Sequence, residues 1–106
     1  MRPIYYDKAG NQIGNDELVA IYKIPDYKRV AETTLPDGTW VSTVWLGIDH
    51  NYGKGPPLIF ETMVFASRDN LEEQDIERYS TMAEAEAGHL RMVERFTKTK
   101  EEGRML

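Results

Sequence analysis

The segment TWVSTVWLGID at positions 39–49 constrains the fold of this chain more than any other part of the sequence. It is rich in β-branched and aromatic residues, which are enriched in β-strands, and its side chains alternate between two faces. One face of the predicted strand carries Trp40, Val44, Leu46 and Ile48, and the other carries Val41, Thr43 and Trp45. Because both faces carry apolar bulk, we predict that this strand is central in a sheet.

Turn residues on either side of this strand predict its neighbours. In the preceding LPDG turn, Pro36 presets φ and Gly38 accepts a positive φ, which indicates a hairpin with a strand in residues 27–35. The following loop, HNYGKGPP, cannot continue the sheet, and LIFETMVFA at 58–66 returns as a strand. An acidic loop at 67–75 and a short edge strand at 76–79 complete an antiparallel sheet of three to five strands.

The segment STMAEAEAGHLRMVERF contains the clearest helix start in the chain. Ser80 or Thr81 can cap the helix, and Glu84 stands three residues after Thr81, as in a capping box. Six side chains at helical spacing form one stripe that we predict lies on the sheet: Met82, Ala85, His89, Met92, Val93 and Phe96. Gly88 costs about 1 kcal/mol relative to Ala inside a helix, so we expect close packing or a close backbone approach there. This amphipathic helix is predicted over about 80–98.

Weaker signals predict the N-terminal elements. Aromatic residues followed by turn residues indicate a small hairpin over residues 4–13. Asn15 or Asp16 can cap a short helix near 15–24, which Pro25 ends. The competing prediction is a strand, because this segment contains β-branched residues and spans only about two helical turns. We favour the helix.

Composition limits the class of protein. The 106 residues accommodate one α+β domain over 1–106, with residues 98–106 as a frayed charged tail. The absence of cysteine excludes disulfides and thiolate metal sites and favours the cytoplasm. There is no signal-peptide pattern and no apolar run of about 20 residues, so we expect neither export nor a membrane span. A formal net charge of −5 argues against direct nucleic acid binding and favours a basic or neutral protein partner.

The two histidines are the natural candidates for acid–base or metal chemistry. His50 follows Asp49 at the end of the central strand, and Glu61 and His89 lie on later elements. If the helix crosses that end of the sheet, these four side chains, together with Glu86, could bind a divalent metal. The ordinary alternative is a hydrogen-bonded structural imidazole, and no cofactor is otherwise indicated. The sequence contains no recognisable Ser-His-Asp spacing and no thiol nucleophile, which favours a protein without catalytic activity.

Surface residues provide a second set of candidates. The Gly-rich loop carries Tyr52 and Lys54, but it lacks the spacing of a phosphate-binding loop. Tyrosine is enriched at interfaces and carboxylates attract basic partners, so the predicted interface residues are Tyr5, Tyr6, Tyr52, Asp69, Glu72 and Glu73. Core packing is the ordinary explanation for the tyrosines.

The runs VSTVWLGIDHNYGKGPPLIFETMVF and RYSTMAEAEAGH resemble a recurrent pattern in small proteins of tailed bacteriophages and their bacterial hosts. The segments YYDKAGNQI and DYKRVAET are similar in kind, so the resemblance covers most of the chain. No activity is established for that family. The resemblance implies a phage or prophage setting, in which short acidic domains often bind a host factor.

Three hypotheses follow for function. The first is a non-enzymatic phage accessory protein that binds a host or phage protein, for example as an inhibitor of a defence or nucleic-acid enzyme. The second is a small metal- or nucleotide-binding domain with its site near His50. The third is a structural virion component, for which a homo-oligomer is expected.

Overall fold

A computed structural model describes the backbone of residues 4–105 and the side chains of residues 4–98. The elements are α1 (Asn15–Tyr22), β1 (Arg29–Thr34), β2 (Trp40–Trp45), β3 (Phe60–Phe65), β4 (Glu73–Tyr79) and α2 (Met82–Met105). The strands form one antiparallel sheet in the order β1-β2-β3-β4. The predicted α+β class, with a sheet packed by a C-terminal helix, is confirmed.

Strand β2 occupies an interior position, as its two apolar faces predicted. Val41 lies opposite Thr33 of β1 on one side and opposite Val64 of β3 on the other. The turn between β1 and β2 also follows the prediction, because Gly38 adopts φ +95° and its N–H donates to the carbonyl of Leu35 at 2.9 Å. The LPDG sequence therefore sets the β1–β2 hairpin.

Strand β4 is longer than predicted. It begins at Glu73 instead of residue 76, and it pairs with β3 from Phe65 opposite Glu73 to Phe60 opposite Tyr79. The predicted loop 67–75 is correspondingly too long. The charged residues at 73–75 favoured a loop in the prediction. They are compatible with a strand here because β4 is at the edge of the sheet, and edge strands tolerate polar and charged side chains.

Helix α2 starts with the predicted capping box. The Thr81 N–H donates to Glu84 Oε1, and the Glu84 N–H donates to Thr81 Oγ1, both at 3.1 Å. Thr81 is therefore the capping residue, and the helix begins at Met82, two positions after the alternative start at Ser80. The helix continues past the predicted end near residue 98 to Met105.

Gly88 allows α2 to pack closely on β4. The ring of Tyr79 lies where a Cβ on Gly88 would be, so any side chain at this position would overlap the phenol. Both residues are buried. The expected close packing at Gly88 is confirmed, and it accounts for a glycine in the interior of this helix.

The N-terminal residues cover one end of the sheet. Isolated antiparallel bridges join Tyr5 to Ile48 and Tyr6 to Gln12. The helix predicted near 15–24 is present as α1, and the strand alternative is wrong. Its N-cap is Gly14, without a side-chain cap bond, so Asn15 and Asp16 were wrong as caps. Gly14 becomes the N-cap because its carbonyl accepts the first helical hydrogen bond, from the N–H of Leu18.

The core lies between the sheet and the helices as two apolar clusters. The first contains Ile13, Leu18, Trp45, Ile59, Phe60, Tyr79 and Ala85, and the second contains Val41, Val64 and Met92. Thr43 and Thr62 lie between the clusters along β2 and β3 and are fully buried. The core is therefore two apolar layers separated by a polar one. Within residues 4–105, no helix is long and apolar enough to cross a membrane.

Candidate functional site

The sheet has one face covered by α2 and a second face, here called the open face. Three cross-strand rows define the open face through the strand register. They are Thr34, Trp40, Phe65 and Glu73; Glu32, Ser42, Met63 and Ile76; and Val44, Glu61 and Arg78. Antiparallel sheets that face water usually carry polar residues on that side. Here the two inner strands carry the apolar side chains Trp40, Val44, Met63 and Phe65 on this face, which is unusual for a surface with no binding role.

Trp40 lies on the open face in the cross-strand row next to the β1–β2 turn. Its ring lies 5.3 Å from the ring of Phe65, and the guanidinium carbon of Arg68 lies 4.9 Å from the Trp40 ring centroid. Arg68 is fixed there by hydrogen bonds to Thr34 Oγ1 at 3.1 Å and to Glu32 Oε1 at 3.0 Å. The indole Nε1 of Trp40 is buried and has no hydrogen-bond partner among the described residues.

Ion pairs border these apolar side chains. The Arg68 hydrogen bond holds the pKa of the Glu32 carboxyl below its ordinary value, so Glu32 is charged at neutral pH. Nearer the other end of the strands, Arg78 Nε donates to Glu61 Oε2 at 2.9 Å. Each carboxylate fixes one guanidinium at the open face. The open face therefore combines aromatic, methionine and arginine side chains, which are enriched in protein interfaces.

A groove of about 450 Å³ adjoins the open face and is widely open to solvent. Residues 22–29 form its wall, and Glu32, Trp40, Ser42 and Val44 form its floor. The wall is ordered by local contacts, since Arg29 pairs with Asp26 at 3.4 Å and the ammonium group of Lys28 lies 4.9 Å from the Tyr22 ring centroid. Sequence analysis did not identify this groove.

The predicted metal ligands Asp49 and His50 have roles in the loop that follows β2. Asp49 Oδ1 accepts hydrogen bonds from the N–H groups of Asn51 at 2.7 Å and Leu58 at 3.0 Å. His50 Nδ1 donates to the carbonyl of Ile48 at 2.8 Å. Both side chains therefore stabilise the shape of residues 48–58, which brings the chain from β2 back to β3.

The other two predicted ligands lie on opposite faces of the sheet. Glu61 is on the open face with Arg78, whereas His89 is on the covered face, where its imidazole contacts Thr43. Glu61 and His89 therefore do not converge, because neighbouring residues of a strand point to opposite faces and Thr62, next to Glu61, faces α2. No group of three or more potential metal-binding His, Asp or Glu side chains occurs among the described residues.

His89 belongs to a buried chain of hydrogen bonds in the polar layer of the core. Tyr79 Oη donates to Thr62 Oγ1 at 3.1 Å, and the hydroxyls of Thr62 and Thr43 are 2.5 Å apart. Thr43 Oγ1 lies 2.7 Å from His89 Nδ1, and Thr33 Oγ1 lies 2.9 Å from His89 Nε2.

The hydrogen bonds of this network are compatible with a neutral His89 imidazole. In one such arrangement Thr62 donates to Thr43, Thr43 donates to Nδ1 and Nε2 donates to Thr33; in the other, Thr43 donates to Thr62, Nδ1 donates to Thr43 and Thr33 donates to Nε2. Burial lowers the pKa of His89 and raises the pKa of Tyr79 to about 12, which favours the neutral form of both groups.

The predicted interface residues differ in exposure. Tyr5 and Tyr6 are half-buried and pack against the first apolar cluster, so they contribute mainly to the core. Tyr52, in contrast, is 91% exposed, and Lys54 on the same loop is also exposed. The acidic residues Asp69, Glu72 and Glu73 are exposed around the turn between β3 and β4.

Sequence reasoning missed the open face as a candidate site, although a signal for it was present. The sequence predicted a sheet with apolar residues on both faces but only one long helix, which can cover one face. Trp40 and Phe65 were therefore available for a surface role. Comparison with protein-family models, curated proteins and solved structures finds no match for this chain.

Proposed function

We propose that this domain acts by binding another protein through its open face, without catalysing a reaction. The observation that carries the proposal is the position of Trp40, Phe65 and Met63 on the sheet face opposite α2. Contiguous apolar surface with a polar border is typical of protein interaction sites. Aromatic and arginine side chains also contribute most of the binding energy in many interfaces.

The order already present on the open face supports this proposal. Arg68 is fixed by Glu32, Thr34 and the Trp40 ring before any partner arrives. A side chain that is already immobile loses little conformational entropy on binding, and that loss otherwise amounts to about 0.5–1.5 kcal/mol for each long side chain. The face is thus prepared for a rigid contact.

The exposed carboxylates near the β3–β4 turn suggest the chemistry of the partner. Asp69 and Glu72 lie close in sequence to Arg68, and Glu73 lies opposite Phe65 at the border of the open face. We propose that a basic surface of a host or phage protein contacts them, as expected for an inhibitor of a nucleic-acid enzyme. Such a contact should weaken as salt concentration rises.

Alanine variants and affinity capture test the proposal. Trp40→Ala removes the indole of the open face, and Arg68→Ala removes the guanidinium that lies over that ring. Leu90→Ala removes an apolar side chain, 69% exposed, from the outer side of α2. Wild type and Leu90→Ala should capture the same protein from bacterial lysate, and both open-face variants should lose it while remaining folded by circular dichroism. Equal capture by the folded Trp40→Ala variant would overturn the proposal.

A further inference from the structure

The groove beside Trp40 differs in charge from the rest of the protein. The full chain has a formal net charge of −5, but the groove is lined by three cationic residues, Lys23, Lys28 and Arg29, against two carboxylates, Asp26 and Glu32. A local excess of positive charge on an acidic protein concentrates anionic ligands at that position.

The carboxylates of the groove are already neutralised. Arg29 binds Asp26 at 3.4 Å and Glu32 at 3.3 Å, and Glu32 also binds Arg68 at 3.0 Å. Among the described residues, the ion pairs leave the ammonium groups of Lys23 and Lys28 without a carboxylate. These two lysines are the positive charges that remain available to a ligand.

The apolar lining and the open shape indicate the size of that ligand. Ile24 is 51% exposed and Tyr22 is 41% exposed, and both line the groove together with Trp40. Small-molecule sites usually enclose most of their ligand, and this groove is widely open to solvent. An extended segment of another chain can lie along such a surface, with an apolar side chain against the aromatic lining.

We propose that the groove binds an extended acidic peptide segment of the partner, with carboxylates at Lys23 and Lys28 and an apolar side chain against Ile24 and Trp40. This inference rests on the proposed protein-binding function and identifies one part of the partner. The partner then has two charged contacts, since its basic surface faces the carboxylates near the β3–β4 turn and its acidic segment faces the groove.

Binding of synthetic peptides tests the inference. The probe is a fluorescein-labelled peptide of about twelve residues with alternating Glu and Leu, and the reference peptide has Gln in place of every Glu. The acidic peptide should bind the wild-type protein at least about tenfold more tightly than the Gln peptide in fluorescence anisotropy, and the difference should shrink as salt is added.

Charge-reversal variants locate the binding. The double variant Lys23→Glu and Lys28→Glu should lose at least about tenfold in affinity for the acidic peptide. The control Lys54→Glu and Lys98→Glu, which makes the same charge change outside the groove, should lose less than about twofold. Equal binding of the two peptides, or equal loss in both double variants, would overturn the inference. If lysate capture still depends on Trp40 in that case, the protein-binding function stands and only the acidic ligand is wrong.

Discussion

At His89, the buried hydrogen bonds are compatible with a neutral imidazole. A protonated ring would donate from both nitrogens, so that Thr43 and Thr33 would both have to accept from it. Burial lowers the pKa of His89 from its ordinary value of 6.5 in the folded protein. The unfolded chain therefore takes up this proton at a higher pH than the folded protein does.

This difference predicts how stability depends on pH. Above about pH 6.5, His89 should contribute fully to the free energy of unfolding. As the pH falls from there towards the folded-state pKa of His89, the free energy of unfolding should decrease by at most about 1.4 kcal/mol per pH unit. Urea unfolding at about pH 7.5 and about pH 5.5 measures it. The His89→Gln variant should be less stable at the higher pH and should lose most of this decrease. The His50→Gln variant should keep the decrease in stability at low pH, because His50 is not part of the buried hydrogen-bond network. An unchanged pH dependence of stability in His89→Gln would contradict the role assigned to His89.

The two tryptophans differ both in burial and in hydrogen bonding. Trp45 is fully buried and its Nε1 donates to the carbonyl of Tyr6 at 3.0 Å, whereas the Nε1 of Trp40 is buried without a described partner. Replacing Trp45 with Phe leaves a cavity and an unsatisfied carbonyl, so we expect a loss of about 2–4 kcal/mol. Replacing Trp40 with Phe removes an unsatisfied donor and should cost less than about 1 kcal/mol.

Chemical denaturation of both Phe variants checks this difference. Circular dichroism at neutral pH gives the free energy of unfolding of each variant relative to wild type. Similar losses for Trp40→Phe and Trp45→Phe, or a larger loss at Trp40, would contradict the prediction.

At the scale of elements, Gly88 reverses the usual effect of glycine in a helix. Gly88→Ala should gain about 1 kcal/mol of helix propensity, but the new methyl group overlaps the Tyr79 ring, and overpacking of this kind costs about 1–3 kcal/mol. We therefore expect a net loss of stability. The neighbouring exposed position provides the control, since Ala87→Gly changes propensity alone and should cost about 1 kcal/mol. Thermal melting of both variants measures the comparison, and a more stable Gly88→Ala protein would show that α2 can shift on the sheet.

The elements that were predicted correctly depend on local signals. The capping box at Thr81 and the LPDG turn at Gly38 act within four residues, so the sequence alone identifies them. Strand β4 was only partly predicted because its charges find partners far along the chain, such as Asp75 with Arg95 and Glu77 with Arg91. Those pairs depend on the register of β3 with β4 and on the position of α2, which no local pattern specifies.

The candidate site was harder to predict for the same reason. Asp49, His50, Glu61 and His89 were the predicted ligands, and of these Asp49, Glu61 and His89 are buried. Their partners, however, are backbone groups, Arg78 and two threonines on three different elements. Whether Glu61 and His89 lie on the same face of the sheet depends on strand pairing and on the position of α2. Neither can be predicted from the residues next to them in the sequence.

For the whole molecule, one helix and one sheet produce two faces with different roles. Helix α2 contacts all four strands, so the covered face unites the sheet into a single folding unit. The open face is left free of that structural role. Substitutions at Trp40 and Arg68 can therefore change binding with little effect on folding, as the proposed function requires.

The position of the core beneath α2 also predicts where the chain can be shortened. The described apolar contacts of this helix with the second cluster involve Met92, Val93 and Phe96, so a chain ending at Lys98 retains them. Its melting temperature should remain within a few degrees of the full-length value. A chain ending at Arg91 uncovers Val41 and Val64 and loses about 1.5–3 kcal/mol for each large buried side chain removed.

That loss approaches the total stability of about 5–15 kcal/mol that is usual for a domain. We therefore expect the chain ending at Arg91 to be largely unfolded in far-ultraviolet circular dichroism, with no cooperative melting transition. The chain ending at Lys98 should melt in one transition, because all four strands remain joined by the same helix. Cooperative melting of the shorter chain near the full-length temperature would mean that the second cluster contributes little, and that the first cluster, around Trp45 and Phe60, holds the sheet and the helix together.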